Sequence, residues 1–257
     1  MKVTFDSNVW RIVASPGSFP NEPSIEALRA IHDAIGRGSI EARLSETVFT
    51  LEAISRSGRR EFFALYKPKT EIKEDARPDG SIHVSFAIGP DLSAHPGNNP
   101  YLAKHWNDAE VLGFRLMHCT RIATTRNPDV PAERFVPITS ETAERFGACA
   151  RDIEAHGCGI SALKKIGLRY TTANGTWQSG ISAAPEAEDD PIAAAVAEWA
   201  DGDTVAAHIA YKNDYLCTRD AAKSAGSLSV FSASNREWLH NSYGVQILAP
   251  EALCDLV

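Results

Sequence analysis

Residues 2–44 constrain the chain most. Lys2-Val3-Thr4-Phe5 reads as a short strand, and Ile25, Leu28, Ile31 and Ile35 form one apolar helical stripe. Ile40, Ala42 and Leu44 then alternate with Glu41 and Arg43 as a second strand. Ser24 stands where a helix cap belongs, and Gly36 with Gly38 where the helix should end. A strand-helix-strand unit of this kind points to a parallel sheet with helices against its faces. Asp6-Ser7-Asn8 follows the first strand at its carboxyl end, where an open parallel sheet forms its crevice.

A second stretch, DTVAAHIAYKNDYLCTRD from Asp203 to Asp220, repeats this arrangement. Asp190-Pro191 opens an Ala-rich helix through Trp199, and Asp201-Gly202 reads as a break. Asp203 then caps a short helix carrying Val205, Ala206, Ile209 and Ala210, which Lys212-Asn213 closes. Tyr215-Leu216-Cys217-Thr218 is an apolar strand buried on both faces, and Asp220 lies just past its end. Asp214 reads as a turn residue. Asp201 competes with Asp203 for the helix start, and the helix register favours Asp203.

Near Ser45-Glu46 a further helix begins, with Glu52 sharing a face with Val48 and adjoining Leu51. A carboxylate on an apolar face is costly unless paired or bound to a cation. Arg56, Arg59 and Arg60 continue this helix, as a solvated face or a phosphate-facing patch. From Lys67 to His105 Pro, Gly, Asp and Asn accumulate; a hairpin at about 70–88 turns at Arg77-Pro78-Asp79-Gly80, and a loop runs on through Pro100. Helices are expected at about 107–119 and 140–156, with a turn or two from Ile160 to Ile166. Glu186 to Asp190 reads as a solvated acidic linker. Gly226 to Phe231 is a connection or short strand, and Asn235 to His240 a helix ended by Gly244. Val245 to Leu248 is the last strand, and Pro250 opens a terminal helix.

At 257 residues and 44% hydrophobic, the chain can bury a full core as one domain with a substantial insertion. It has no apolar run of membrane-spanning length and no basic-then-apolar leader, so a cytoplasmic protein without a membrane partner is expected. Five scattered cysteines without a C-x-x-C pair argue against a disulfide framework or a structural zinc site, and Cys217 reads as a small buried side chain. A net charge of −7 excludes a generally basic nucleic-acid binder; phosphate chains need a local basic patch or metal ions. No G-x-S-x-G elbow, P-loop or G-x-G-x-x-G follows a strand, and His208 reads as a core or helix-face residue.

In a doubly wound sheet Asp6, Glu52, Asp203 and Asp220 can converge on one carboxyl edge. Carboxylates crowded there repel one another, which a divalent cation relieves. Oxygen donors without His or Cys suit a hard ion, Mg²⁺ or Mn²⁺.

The segments KVTFDSN, LSETVFTLEAI, GDTVAAHIAYKNDYLCTRD and VQILAPEAL, in this order, resemble the PIN-domain family of metal-dependent ribonucleases. That family includes the toxins of many bacterial toxin-antitoxin pairs. The resemblance covers roughly residues 1–56 and 190–253. It implies a single PIN-like α/β domain over 1–257, a doubly wound three-layer α/β/α fold with a mainly parallel central sheet. Residues 57–189 would hold the family's central helices and a large insertion. It implies that Asp6, Glu52, Asp203 and Asp220 bind Mg²⁺ or Mn²⁺ and carry catalysis, with Asn8 and Thr218 orienting carboxylates or waters. Metal-activated water would cut RNA, single-stranded or structured, to leave 5′-phosphate and 3′-hydroxyl ends. Arg56 and Arg60 are the expected contacts to the substrate backbone. An antitoxin protein and a second copy in a homodimer are the further partners the family suggests. Two alternatives stand beside this reading: a catalytically inactive PIN-like RNA-binding or scaffold protein, and a haloacid-dehalogenase-type phosphatase. The latter also begins with a strand ending in Asp, but its second aspartate is here Asn8.

Overall fold

The structure is a computed structural model and describes residues 1–65, 68–90, 100–119, 121, 130–222 and 229–257. Strands β1 (Lys2–Phe5) and β2 (Glu41–Ser45) flank helices α1 (Trp10–Ala14) and α2 (Ile25–Gly36). Next come α3 (Thr47–Thr50), α4 (Arg59–Leu65) and the hairpin β3 (Pro68–Ala76) and β4 (Ile82–Pro90). Helix α5 (Pro100–Leu112) leads to β5 (Arg115–Met117), followed by α6 (Ser140–Ala155), α7 (Ser161–Tyr170) and α8 (Trp177–Ala183). The long α9 (Asp189–Ala210), β6 (Tyr215–Cys217), α10 (Ala233–Tyr243), β7 (Ile247–Leu248) and α11 (Pro250–Cys254) complete the chain.

The fold is α/β, built on a five-stranded sheet of order β5-β2-β1-β6-β7 whose ladders are parallel. Successive strand residues face opposite ways, so the sheet has two apolar faces. Val3, Phe5, Ala42, Leu44 and Cys217 belong to the core shared with α1, α2, α5 and α11. Met117 and Leu216 belong to the opposite core, with α6, α9 and α10. Helices thus cover both faces, in accord with three layers. The α4, α7 and α8 segments form a third core with the first half of α9, around Phe63, Leu163, Ile181, Ile192 and Trp199. The chain fills one side of β1 with β2 and β5 and the other with β6 and β7, which makes the β1/β6 boundary the topological switch point.

Several local expectations change. The helix expected at 107–119 is instead α5, ending at Leu112, and then β5, an edge strand of the main sheet. Gly113, at φ 108°, makes the turn between them, so the central segment supplies part of the main sheet. Ser24 takes a left-handed φ of 65° and does not cap α2; its hydroxyl donates to Glu251. The β2 alternation fails because both faces are covered: Arg43 is buried and donates to Glu41 at 2.7 Å. Glu186 to Asp190 is no free linker, because Glu188 takes Arg169 and Tyr170 while Asp189 and Asp190 take Arg60 and Arg56. The final strand is only Ile247–Leu248. Residues 91–99 of the expected loop and 226–228 of the expected connection lie outside the described residues.

The largest change concerns α9, which runs unbroken through Asp201-Gly202. Gly202 is a packing contact and not a stop: a Cβ there would lie 2.8 Å from the Gly159 Cα, so only glycine lets α9 approach the turn before α7. The Trp199 indole donates to Asp203 one turn on, at 3.0 Å, and ties the helix across the expected break. Asp203 is therefore a mid-helix residue and caps nothing.

Candidate functional site

The main-chain N–H of Asp6 donates to the Cys217 carbonyl at 3.0 Å, fixing the end of β1 against β6 at the switch point. Its buried carboxylate accepts the Ser7 N–H at 2.7 Å, the Asn8 amide at 2.7 Å and the Thr218 hydroxyl at 2.5 Å. Asn8 also reaches the Thr218 hydroxyl at 3.2 Å and accepts the Arg219 N–H at 3.0 Å. Asn8 and Thr218 thus orient the first acid by direct hydrogen bonds. Burial raises the Asp6 pKa, Thr218, Ser7 and Asn8 pull it back, and the nearby Asp220 pushes it up again.

Asp220 sits half-buried past β6, its N–H donating to the Thr218 hydroxyl at 2.9 Å and its side chain accepting the Ala222 N–H at 2.6 Å. Arg236, on α10, donates to the Asp220 carbonyl oxygen. Glu52 lies just beyond α3 and not within a continuing helix, in a turn where its N–H donates to the Thr47 carbonyl at 3.0 Å. Burial first, and then the Asp6 charge, raise its pKa to about 7, opposed by the Ser7 hydroxyl, Arg59 and Arg11. Ser7, Asn8, Arg11, Glu52 and Tyr101 line a cleft of about 300 Å³ beside this edge.

The acid that α9 brings to this edge is Asp201. Burial, followed by the charges of Asp6, Glu52, Glu198 and Asp220, raises its pKa. Asp203 instead faces a different cluster: Arg121 lies 3.2 Å from its carboxylate, and Arg121 in turn meets Glu154, which also binds Lys164 at 2.5 Å. Burial raises the Asp203 pKa to about 6, with Arg121 and the Trp199 indole holding it down. Asp203, expected among the ligands, thus lies in the Arg121 cluster, whereas Asp201, two residues earlier and on another face of the same helix, is the acid that the charges of Asp6, Glu52 and Asp220 reach. Glu198, three residues before Asp201 on the shared face, completes the group; it is buried, with its Oε2 lacking a hydrogen-bond partner.

Arg56 and Arg60 do not follow Glu52 on one helix, because the chain turns at Ser55 and α4 starts anew at Arg59. Arg56 pairs with Asp190 at 3.1 Å. Arg60 pairs with Asp189 at 2.9 Å and donates to the Ala184 carbonyl, which fixes it away from the acids. The guanidinium close enough to act on Glu52 and Asp201 is Arg59, held by the Ile54 and Ala193 carbonyls at 3.2 and 2.6 Å. His208 is a core residue: it contacts the Thr4 hydroxyl at 3.0 Å, and burial lowers its pKa to about 4. All five cysteines are free thiols. No helix among the described residues is long and apolar enough to cross a membrane.

The donor chemistry at the switch point fits a hard divalent cation, since the strongest charges acting on Asp201 are other carboxylates and the acids offer only oxygen. Among the described residues, no group of three or more acidic, His or Cys side chains stands in metal-holding geometry. The fit is thus one of charge and donor type. No protein-family model matches the chain, and neither a curated protein nor a solved structure matches it.

Sequence reasoning passed over Glu198 and Arg236 entirely. The three-residue spacing of Glu198 and Asp201 within an Ala-rich, otherwise uncharged run was the signal available for the first. Nothing local marks Arg236, which reaches Asp220 only through the packing of α10.

Proposed function

We propose that the chain is a PIN-like, metal-dependent endoribonuclease whose site is formed by Asp6, Glu52, Asp201 and Asp220, with Glu198 adjoining. The observation that carries this reading is the meeting of Asp6, Thr218 and Asp220 just past β1 and β6, at the switch point of a parallel sheet where such folds place their ligands, with the Asp6 charge reaching Glu52 and Asp201. Carboxylates with raised pKa values, gathered in a cleft, are a mark of a functional site.

These acids would hold Mg²⁺ or Mn²⁺, which would supply Lewis acidity toward a phosphate and lower the pKa of a bound water. The chain's own residues set the geometry. Thr218, Asn8 and the Ser7 N–H lock the Asp6 carboxylate so that one rotamer faces the crevice. Arg11 and Arg59 flank Glu52 and offer cationic contacts to phosphate oxygens. RNA is the substrate this reading favours, and a partner antitoxin or a second copy belongs to the same proposal, as does a cytoplasmic setting.

The deciding experiment measures cleavage of labelled RNA by the purified chain with Mn²⁺ or Mg²⁺, in chelator, and in Asp6→Asn, Asp201→Asn and Asp203→Asn variants. Cleavage lost in chelator and in the first two variants, but retained in folded Asp203→Asn, supports the assignment. Undiminished hydrolysis in excess chelator removes the metal mechanism, and loss in Asp203→Asn with retention in Asp201→Asn reverses the choice of acid.

A further inference from the structure

A groove of about 620 Å³ runs between the first turns of α9, α7 and the segment that follows Glu52. The buried Ala193, Ala195 and Ile166 form its floor, its rims carry Arg56, Arg59 and Lys165, and Glu198 also lines it. The groove and the acid cluster are continuous through two residues. Glu198 lines the groove and shares a helix face with Asp201, while Arg59 lines it and lies close enough to Glu52 and Asp201 to feel both charges.

We propose that this groove carries the sugar-phosphate backbone of single-stranded RNA to the acid cluster. The inference rests on the nuclease reading and names the path of its substrate. Cations spaced along the rims are what a polyanion needs on a chain of net charge −7, because without a local patch the long-range field is repulsive. Lys165 is exposed and makes no ion pair among the described residues. Arg56 pairs with Asp190, but the two side chains are 67% and 85% exposed. An exposed pair of this kind is weak and yields to a phosphate. Arg60, expected to share this work, is turned to Asp189 and Ala184 and does not line the groove.

The floor selects the class of nucleic acid. Small apolar side chains at a groove bottom accept ribose and base faces without donors that read sequence. A volume in the range of single small-ligand sites takes a few unpaired nucleotides but not the width of a duplex.

The test is fluorescence anisotropy of a labelled single-stranded oligoribonucleotide in chelator, so that the strand is not consumed. It compares the full chain with Lys165→Gln, Arg56→Gln and the double variant across a salt series. Losing two contacts should flatten the slope of log affinity against log salt by about 1.4, at ~0.7 per phosphate on a single strand, and weaken binding about tenfold near 0.15 M salt. Both side chains project from the surface, so unchanged melting temperatures are expected alongside. Unchanged affinity and slope in the folded double variant overturn the groove, as does equal competition by duplex RNA. If those results come with intact metal-dependent cleavage, the nuclease reading survives and only the path is wrong. If the variants lose binding while wild type shows no metal-dependent cleavage, the groove stands and the nuclease reading fails. Absence of any single-strand binding by wild type sinks the groove outright.

Discussion

Replacing Glu52 by Gln should stabilise the metal-free protein at high pH, and the structure sets both sign and size. The folded carboxyl keeps its proton to about pH 7, whereas an ordinary glutamate loses it near 4.5. Folding therefore favours the protonated form, so wild-type stability declines as pH rises from 4.5 to about 7 and is flat above. At ~1.36 kcal/mol per pH unit this span sets a ceiling of about 3 kcal/mol. Glutamine cannot ionise, so its advantage should be absent near pH 4 and fully developed by pH 8. Urea unfolding in chelator at these pH values reads the difference directly. Saturating Mn²⁺ should then close the gap, because a cation bound to the folded state at a hundred times its Kd adds about 2.7 kcal/mol to wild type, and less to a variant lacking one ligand. A variant no more stable than wild type at pH 8 in chelator, or one whose offset is the same at pH 4 and pH 8, would refute the placement of Glu52 in a desolvated acid cluster.

Asp203→Leu should cost about 1–3 kcal/mol in urea unfolding without changing cation affinity measured by calorimetry, because it removes the acceptor of the Trp199 indole and the carboxylate beside Arg121, which keeps Glu154 and the Ala150 carbonyl. Thr218→Val should cost about 1–3 kcal/mol in urea unfolding, because the Asp6 carboxylate and the Asp220 N–H lose the buried hydroxyl, and should weaken Mn²⁺ binding about 10–100-fold; unaltered affinity would make that contact merely structural.

The parts of the fold legible in the sequence were those governed by local periodicity. The α2 stripe, the strand at Tyr215, the hairpin about Arg77 to Gly80, the α6 limits and the glycine at the end of α10 all depend on neighbours within a turn or a pleat. Asp6, Asn8 and Thr218 were legible for the same reason, since residues just past two buried strands must meet if those strands are adjacent. What failed depended on distant partners. Gly202 resembles a breaker in every local respect, and only the backbone of Gly159 explains why a glycine sits inside a helix at about 1 kcal/mol of intrinsic cost. Reading it as a stop placed a cap at Asp203, where the helix in fact runs on unbroken.

The same close approach gives Gly202 a consequence beyond packing. Asp201 and Glu198 project from the helix that Gly202 allows to sit against Gly159, so the position of both carboxylates depends on the absence of one methyl group. On the opposite side of that glycine, Asp203 anchors the helix to Arg121 and, through it, to Glu154 on α6. The aspartates flanking Gly202 thus divide two tasks along α9. Asp203 ties α9 to α6 through Arg121, whereas Asp201 lies on the face where the charges of Asp6, Glu52 and Asp220 reach it. On the proposed reading Asp203 therefore serves the scaffold and Asp201 the site, although the sequence sets them only two residues apart.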